Sequence, residues 1–201
     1  MLFRSEKYYM LTIAAGAFQL YVDHIEAEKI HTFLDYILLM TYDFSGEWDS
    51  ITGHLTNLFP SEYLPESNSS DKAVEIFMKA GIPAEKLVLG MAFYGRGWRN
   101  VEAVNNGLAQ KGTGFNPGYT YRTISEKYTE NKGYKRFFDT LARSPYIYNA
   151  DSLIFISYED SNSIKYKCKY IIEKKLAGAM FWQYYGDYGN ELLDAINKGL
   201  R

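Results

Sequence analysis

Apolar runs and amphipathic stretches alternate along most of this chain. Continuous apolar runs, which are typical of strands buried on both faces of a parallel sheet, occur at residues 8–15, 36–42, 87–93 and 178–182. Helical periodicity predicts a short helix with Ala27, Ile30 and Leu34 on one stripe, and longer helices at residues 69–81, 161–175 and 190–200. Four strands that alternate with helices predict an α/β fold of parallel βα units with right-handed crossovers.

The stretch from residue 97 to residue 157 breaks this alternation. Its glycines recur, Asn116-Pro117-Gly118 is a turn signal, and Tyr119, Tyr121 and residues 153–158 predict short strands. A βα loop of that length would be unusual, so the stretch predicts an inserted α+β subdomain. The chain then divides into barrel-like βα units at 1–96, the insertion at 97–157 and a last βα unit at 158–201.

Three of the predicted strands end in polar and aromatic side chains. The first such strand is followed by Tyr42 and Asp43, the second by Tyr94 and Arg96, and the third ends in Trp182 and Gln183. Carboxyl ends of parallel strands lie at one edge of a sheet, which is where α/β folds bind ligands. For Tyr42 and Asp43 alone, capping of a core strand is an equal alternative, but the repetition favours a functional site.

Composition narrows the classes of function. The net charge of −2, from 22 basic and 24 acidic residues, gives no reason to expect nucleic acid or an anionic membrane as a partner. A single cysteine, Cys168, excludes an internal disulfide, and the isolated His24, His31 and His54 form no metal-ligand cluster, so neither a metal nor a cofactor is predicted. The aromatic share of 17%, with 19 tyrosines, suits stacking on sugar rings.

Five segments in chain order carry a family resemblance. They are Tyr-Met-Leu-Thr-Ile-Ala-Ala-Gly-Ala before Phe18; Met40-Thr-Tyr42-Asp43-Phe-Ser-Gly46-Glu-Trp48 with Gly53-His54; Gly-Ile-Pro83 with Lys86-Leu-Val-Leu-Gly90-Met-Ala-Phe-Tyr94-Gly95-Arg96; Phe155-Ile-Ser157-Tyr158-Glu-Asp160 with Ser163 and Lys167; and Gly178-Ala-Met-Phe181-Trp182. They resemble the glycoside hydrolase family 18 chitinases, in the order of strands five, six and seven, the end of an insertion subdomain, and strand eight. The resemblance implies a partial (β/α)8 TIM barrel, strands five to eight, with an inserted α+β subdomain.

The resemblance also implies roles for the residues at the strand ends. In this family the 2-acetamido oxygen of the substrate attacks the anomeric carbon, so no protein nucleophile is needed. Tyr42 would donate its hydroxyl to the acetamido group, and Asp43 would hydrogen-bond the sugar near the scissile bond. The implied substrate is a polymer or oligomer of β-1,4-linked N-acetylglucosamine, such as chitin.

Further residues would bind the sugar chain. Met40 would line the pocket, Trp182 would stack under the reacting ring, and Tyr94 and Arg96 would hold neighbouring sugars. Gln183 would either reach the sugar or cap its strand. Trp48 and Trp98 would extend the aromatic track, although tryptophans in loops equally often anchor the loop.

One motif of the family is absent from these 201 residues. The catalytic acid ends an Asp-x-x-Asp-x-Asp-x-Glu motif on the fourth strand, and no such spacing occurs here. The expectation is therefore a carboxyl-terminal half barrel that does not hydrolyse by itself. The alternatives are a non-catalytic carbohydrate-binding module, which could self-associate through its open sheet edge, and a piece of an ordinary enzyme.

The sequence leaves the compartment open. The first seven residues lack the order of a signal peptide, so the protein either stays inside the cell or begins downstream of its native start. Chitinases of this type are commonly exported.

Overall fold

The computed structural model describes residues 9–118 and 120–201, so Tyr8 and Tyr119, which the sequence places in strands, lie outside the described residues. Nine strands and six α-helices follow one another in the described part. They are β1 Thr12–Gly16, α1 Gln19–Val22, α2 Ala27–Ile30, β2 Tyr36–Met40, α3 Ser70–Lys79, β3 Leu87–Ala92, β4 Gly95–Arg99, β5 Thr113–Phe115, α4 Tyr121–Lys127, β6 Lys135–Asp139, β7 Ser144–Asn149, β8 Ile154–Tyr158, α5 Ser161–Glu173, β9 Gly178–Trp182 and α6 Glu191–Gly199.

Four of these strands form a parallel sheet in the order β1-β2-β3-β9. One face of this sheet is fully buried by Ile37, Leu39, Leu87, Leu89 and Met91, which pack in a core with side chains of α3, α5 and α6. The opposite face is half-exposed, because its side chains have no covering layer among the described residues. The α/β class with a parallel sheet is therefore confirmed.

The other five strands form an antiparallel sheet in the order β5-β4-β8-β7-β6. This sheet has its own small core around Trp98, Tyr146 and Phe155. It begins at Gly95, two residues before the insertion predicted at residue 97, because β4 leaves the end of β3 and pairs at once with β8. The antiparallel sheet therefore takes its strands from residues 95–158.

Helix ends follow the capping residues in the sequence. Ser69 caps α3 by accepting from the Lys72 N–H at 3.2 Å, and Asp160 forms a capping box with Ser163 at the start of α5. The helix predicted around Ala27 is wrong in extent, because the chain forms two separate single turns, α1 and α2. No helix among the described residues is long and apolar enough to cross a membrane.

The short strand predicted at Tyr121 is also wrong, because Tyr121 begins helix α4. The side chain of Thr120 accepts from the Thr123 N–H at 3.1 Å and caps the helix. The aromatic and β-branched composition that suggested a strand instead serves packing, since Tyr121 and Ile124 are buried against the main core.

Candidate functional site

A pocket of about 450 Å³ lies at the carboxyl edge of the parallel sheet. Seven residues that the sequence predicts for the site line it, namely Met40, Tyr42, Asp43, Tyr94, Arg96, Trp182 and Gln183. Phe93, Thr120 and Gly186 complete the lining. Three strand ends therefore meet as the repeated pattern indicated, and the antiparallel sheet contributes one wall through Arg96.

Asp43 is held in a conformation that turns its carboxylate into the pocket wall. Its φ of 58° lies in the left-handed region, which Asp tolerates better than most residues with a Cβ. The Asp43 carboxylate accepts from Arg96 Nε at 2.9 Å and also lies 2.9 Å from Arg96 Nη2. This two-point contact fixes the plane of the guanidinium relative to the strand end.

Arg96 is the centre of a charged and aromatic cluster. Its Nη1 donates to Glu47 Oε1 at 3.2 Å, and the guanidinium lies over the rings of Trp48 at 5.1 Å and Tyr94 at 5.3 Å. Burial alone would lower the pKa of Arg96, but Asp43 and then Glu47 raise it on balance, so the cation persists at all ordinary pH values.

Two tyrosines present their phenols to the pocket. The rings of Tyr42 and Tyr94 meet edge to face with centroids 5.9 Å apart. Burial, and then the charge of Asp43, raise the pKa of Tyr42, and the same two causes raise the pKa of Tyr94 strongly. Both hydroxyls therefore remain neutral hydrogen-bond donors at neutral pH.

Trp182 supplies a broad exposed aromatic surface at the end of β9. Its side chain is 59% exposed, which is far from the burial expected of a core tryptophan. The strand end is fixed by pairing of Ala92 with Trp182 and by the Phe93 N–H, which donates to the Trp182 carbonyl at 2.7 Å. A Cβ on Gly186 would lie 2.1 Å from the Phe93 carbonyl oxygen, so only glycine fits this wall.

The two other predicted tryptophans have different positions. Trp98 is fully buried inside the antiparallel sheet, where its indole N–H donates to the Asp49 carbonyl at 2.9 Å. It does not line the pocket, because it lies two residues beyond Arg96 along β4 and packs against Phe155 in the small core of the antiparallel sheet. Trp48 is 58% exposed and stacks on Arg96 beside the pocket, without being part of its lining.

Glu47, Phe93 and Thr120 belong to the site or its wall but are absent from the sequence-based prediction. Glu47 contacts Arg96 across 49 residues of chain, so only its position next to Trp48 was a signal. His54 lies outside the pocket and is buried against Asp139, with its Nε2 atom 3.1 Å from Asp139 Oδ2. Among residues 9–118 and 120–201, no cluster of three or more His, Cys, Asp or Glu side chains could hold a metal ion.

Comparison with known proteins identifies the family. The chain matches the family described as glycosyl hydrolases family 18 over residues 2–187. This chain belongs to glycosyl hydrolase family 18. Its relatives in the family include chitinase A1 of Niallia circulans, which is 38% identical over an alignment that covers 96% of this chain and 30% of the relative. Chitinase B of Serratia marcescens is 32% identical, over 94% of this chain and 48% of the relative.

Solved structures of family 18 proteins match the same stretch. A family 18 N-acetylglucosaminidase from Paenibacillus barengoltzii has a TM-score of 0.89 at 43% identity, over 96% of this chain and 57% of that one. A family 18 chitinase from Cycas revoluta, solved in complex with (GlcNAc)3, has a TM-score of 0.82 at 28% identity, over 96% of this chain and 56% of that one. The chain thus spans less than two thirds of each of these relatives.

Proposed function

We propose that this chain forms the carboxyl-terminal half of a family 18 chitinase barrel and builds most of its sugar-binding floor. The observation that carries the proposal is the meeting of Tyr42, Asp43, Tyr94, Arg96 and Trp182 in one pocket at the carboxyl edge of a parallel sheet. In this proposal strands β1, β2, β3 and β9 are barrel strands five to eight, and the antiparallel sheet is the inserted subdomain.

The substrate would be a β-1,4-linked polymer or oligomer of N-acetylglucosamine, cleaved with retention. The acetamido oxygen of the bound sugar attacks its own anomeric carbon as the bond to the leaving sugar breaks, and water then opens the intermediate. The neutral hydroxyl of Tyr42 donates to the acetamido group and favours the attacking orientation. Trp182 stacks under the ring, while Met40, Tyr94, Arg96 and Gln183 contact neighbouring parts of the substrate.

The proton for the leaving sugar comes, in this proposal, from a carboxylic acid outside these 201 residues. Asp43 is the only carboxyl among the described pocket-lining residues, and Arg96 engages it at 2.9 Å. The Asp43 oxygen that receives Arg96 Nε is committed as a hydrogen-bond acceptor in this contact. Asp43 therefore orients Arg96 and the sugar, and the chain by itself is expected to turn over substrate negligibly.

A second candidate function follows from the engagement of Asp43, the only carboxyl of the described pocket lining, by Arg96. If no segment supplies an acid, the pocket binds chito-oligosaccharides without cleaving them, as a carbohydrate-binding module does. In both cases the proposed ligand is a sugar rather than nucleic acid or a membrane. In both cases we also expect the purified chain to self-associate, because one face of its parallel sheet is uncovered.

The first test is titration of the purified chain with chito-oligosaccharides, followed by tryptophan fluorescence. We expect saturable binding that weakens about fivefold in Trp182→Ala, because a stacked aromatic ring contributes on the order of 1 kcal/mol. Tyr185→Ala is the matched control, since Tyr185 is 73% exposed in the turn that follows β9 but does not line the pocket. Absence of binding by a folded chain would contradict both candidate functions.

Turnover separates the two candidates. Leaving-group protonation contributes about 10²- to 10⁴-fold to such reactions, so a chromogenic chitobioside should remain essentially uncleaved by the chain alone. Recovery of hydrolysis on adding an amino-terminal family 18 segment that carries the acid would support the half-barrel enzyme. Binding without recovery, by a complex shown to form, would support the binding module.

A further inference from the structure

Behind the pocket, a buried ion pair is joined to the ends of two strands. Lys167 Nζ donates to Glu159 Oε2 at 2.7 Å and to the Thr56 hydroxyl at 2.6 Å. The Thr56 hydroxyl donates to the Thr41 carbonyl at 2.7 Å, just beyond β2. On the other side, the Ala92 N–H at the end of β3 donates to Glu159 Oε2 at 3.3 Å.

The side chain of Thr41 closes these contacts into a ring. Its hydroxyl donates to the Gly90 carbonyl at 2.7 Å and accepts from the Gly90 N–H at 2.9 Å, which ties β2 back to β3. The approach is close because Gly90 has no Cβ; a Cβ there would lie 2.4 Å from the Leu39 carbonyl oxygen. This ring of hydrogen bonds thus fixes the position of the end of β2 relative to the end of β3.

This ring of hydrogen bonds lies next to residues that line the pocket. Thr41 lies between Met40 and Tyr42, and Ala92 is followed by Phe93 and Tyr94; the four flanking residues all line the pocket. Glu159 and Lys167 themselves are outside the lining and have no exposed side-chain surface. They can therefore influence a bound sugar only through the strand ends.

Burial of this pair is costly, so a contribution to stability does not explain it well. Replacement of buried ion pairs by apolar residues is often neutral or stabilising, because desolvation cancels the attraction between the charges. Burial raises the pKa of Glu159 and lowers that of Lys167, and the charge of each partner opposes the shift of the other. What the pair provides that apolar residues would not is a fixed direction for its hydrogen bonds.

We propose that Glu159 and Lys167 are positioning residues that hold the ends of β2 and β3, and with them Tyr42 and Tyr94, in the geometry that binds the sugar. The inference rests on the proposed function for its effect on affinity. Its structural part, the fixing of the strand ends, stands independently of any ligand.

The test combines a neutral double variant with a matched surface control. Glu159→Gln together with Lys167→Met removes both charges at nearly constant volume, whereas either change alone leaves one buried charge uncompensated. Lys169→Met with Glu173→Gln removes an exposed pair on the same helix, whose Nζ and Oε1 atoms are 3.6 Å apart. The readouts are the melting temperature, chito-oligosaccharide affinity and amide hydrogen exchange at Ala92 and Phe93.

We expect each single change to lower the melting temperature by roughly 10 °C and the double variant to stay within about 3 °C of the original chain. Despite this stability, the double variant should bind chito-oligosaccharides about tenfold more weakly and exchange the two amides faster. A purely structural role would not separate affinity from melting temperature in this way. The surface control should match the original chain in all three measurements.

Unchanged affinity and unchanged exchange in a stable double variant would overturn the inference while leaving the proposed function intact. If the original chain binds no sugar, the proposed function fails, and hydrogen exchange alone decides the inference. Faster exchange at Ala92 and Phe93 would then support the positioning role, and unchanged exchange would overturn it.

Discussion

Tyr42 has the chemistry to distinguish an acetylated sugar from other sugars. Its ring is packed against Tyr94 and its phenol faces the pocket, where a neutral hydroxyl can donate to an acetamido oxygen. Because burial and Asp43 raise its pKa, this donor persists well into the alkaline range. Recognition by this one hydroxyl should therefore depend on the acetyl group and very little on pH.

Tyr42→Phe should weaken binding of N-acetylated chito-oligosaccharides by about fivefold, because one hydrogen bond contributes roughly 1 kcal/mol. Binding of the deacetylated oligomer, which has no acetamido oxygen, should be unaffected. The measurement is calorimetric titration of both ligands between about pH 6 and pH 9, over which the ratio of the two proteins' affinities should stay constant. Tyr36→Phe, at the other end of the same strand, is the control, and an equal loss for both ligands would refute the assigned role.

The Asp139 carboxylate links the long loop between β2 and α3 to the β6–β7 hairpin, beside backbone hydrogen bonds from the Leu58 and Phe59 N–H groups to the Ala142 carbonyl. Asp139 Oδ2 accepts from Ser61 Oγ at 2.6 Å and from His54 Nε2 at 3.1 Å, and its Oδ1 accepts from the Ala142 N–H at 3.0 Å. Burial alone would raise the pKa of Asp139, but these hydrogen bonds, that of His54 first, lower it from 3.8 to about 2. The contact joins this loop to the antiparallel sheet outside the pocket, between segments that are distant in sequence.

Asp139→Asn should lower the free energy of unfolding by about 2 kcal/mol at pH 7, from the pKa difference between unfolded and folded chain. A carboxyl group whose pKa is lower in the folded than in the unfolded chain stabilises the folded state at pH values above its unfolded pKa. That contribution disappears as the pH falls from about 4 to about 2. Urea unfolding measured across this pH range should show that the free energy of unfolding falls less steeply with pH in the variant than in the original chain. As a control, Asp151→Asn at an exposed position should change neither the free energy of unfolding at pH 7 nor its dependence on pH. The same pH dependence in Asp139→Asn as in the original chain would contradict the prediction.

Local patterns in the sequence were sufficient for the elements of the parallel sheet but not for the insertion. Apolar runs and capping residues such as Ser69 predicted β2, β3, β9, α3, α5 and α6 within a few residues. Tyr121 was placed wrongly, because a helix cap at Thr120 decided its environment. For Trp98 the sequence left two alternatives open, and its buried contact with the Asp49 carbonyl depends on the pairing of β4 with distant strands. Pairing of Glu47 with Arg96 and burial of Lys167 depend on long-range contacts, which no local pattern encodes.

The parallel sheet as a whole is covered on one side only. Paired residues Ala14, Leu38 and Val88, with Met180 nearby, form an apolar face that is exposed or half-exposed among the described residues. The outer strands β1 and β9 also present edges that no described strand pairs. Exposed apolar faces and unpaired edges favour association with another chain. In the proposed barrel, an amino-terminal segment would cover them, and without it a second copy is the available partner.

Leu38→Glu should therefore convert the purified chain from an associated species to a monomer of 23.2 kDa, because an unpaired carboxylate would have to be buried at the contact. Sedimentation velocity at about 50 µM measures this directly, in a range where dimers with micromolar dissociation constants remain formed. Met78→Glu, on the exposed side of α3, adds the same charge away from the uncovered face and should leave association unchanged. A folded, monomeric original chain at this concentration would contradict self-association and would leave the uncovered face to a different polypeptide.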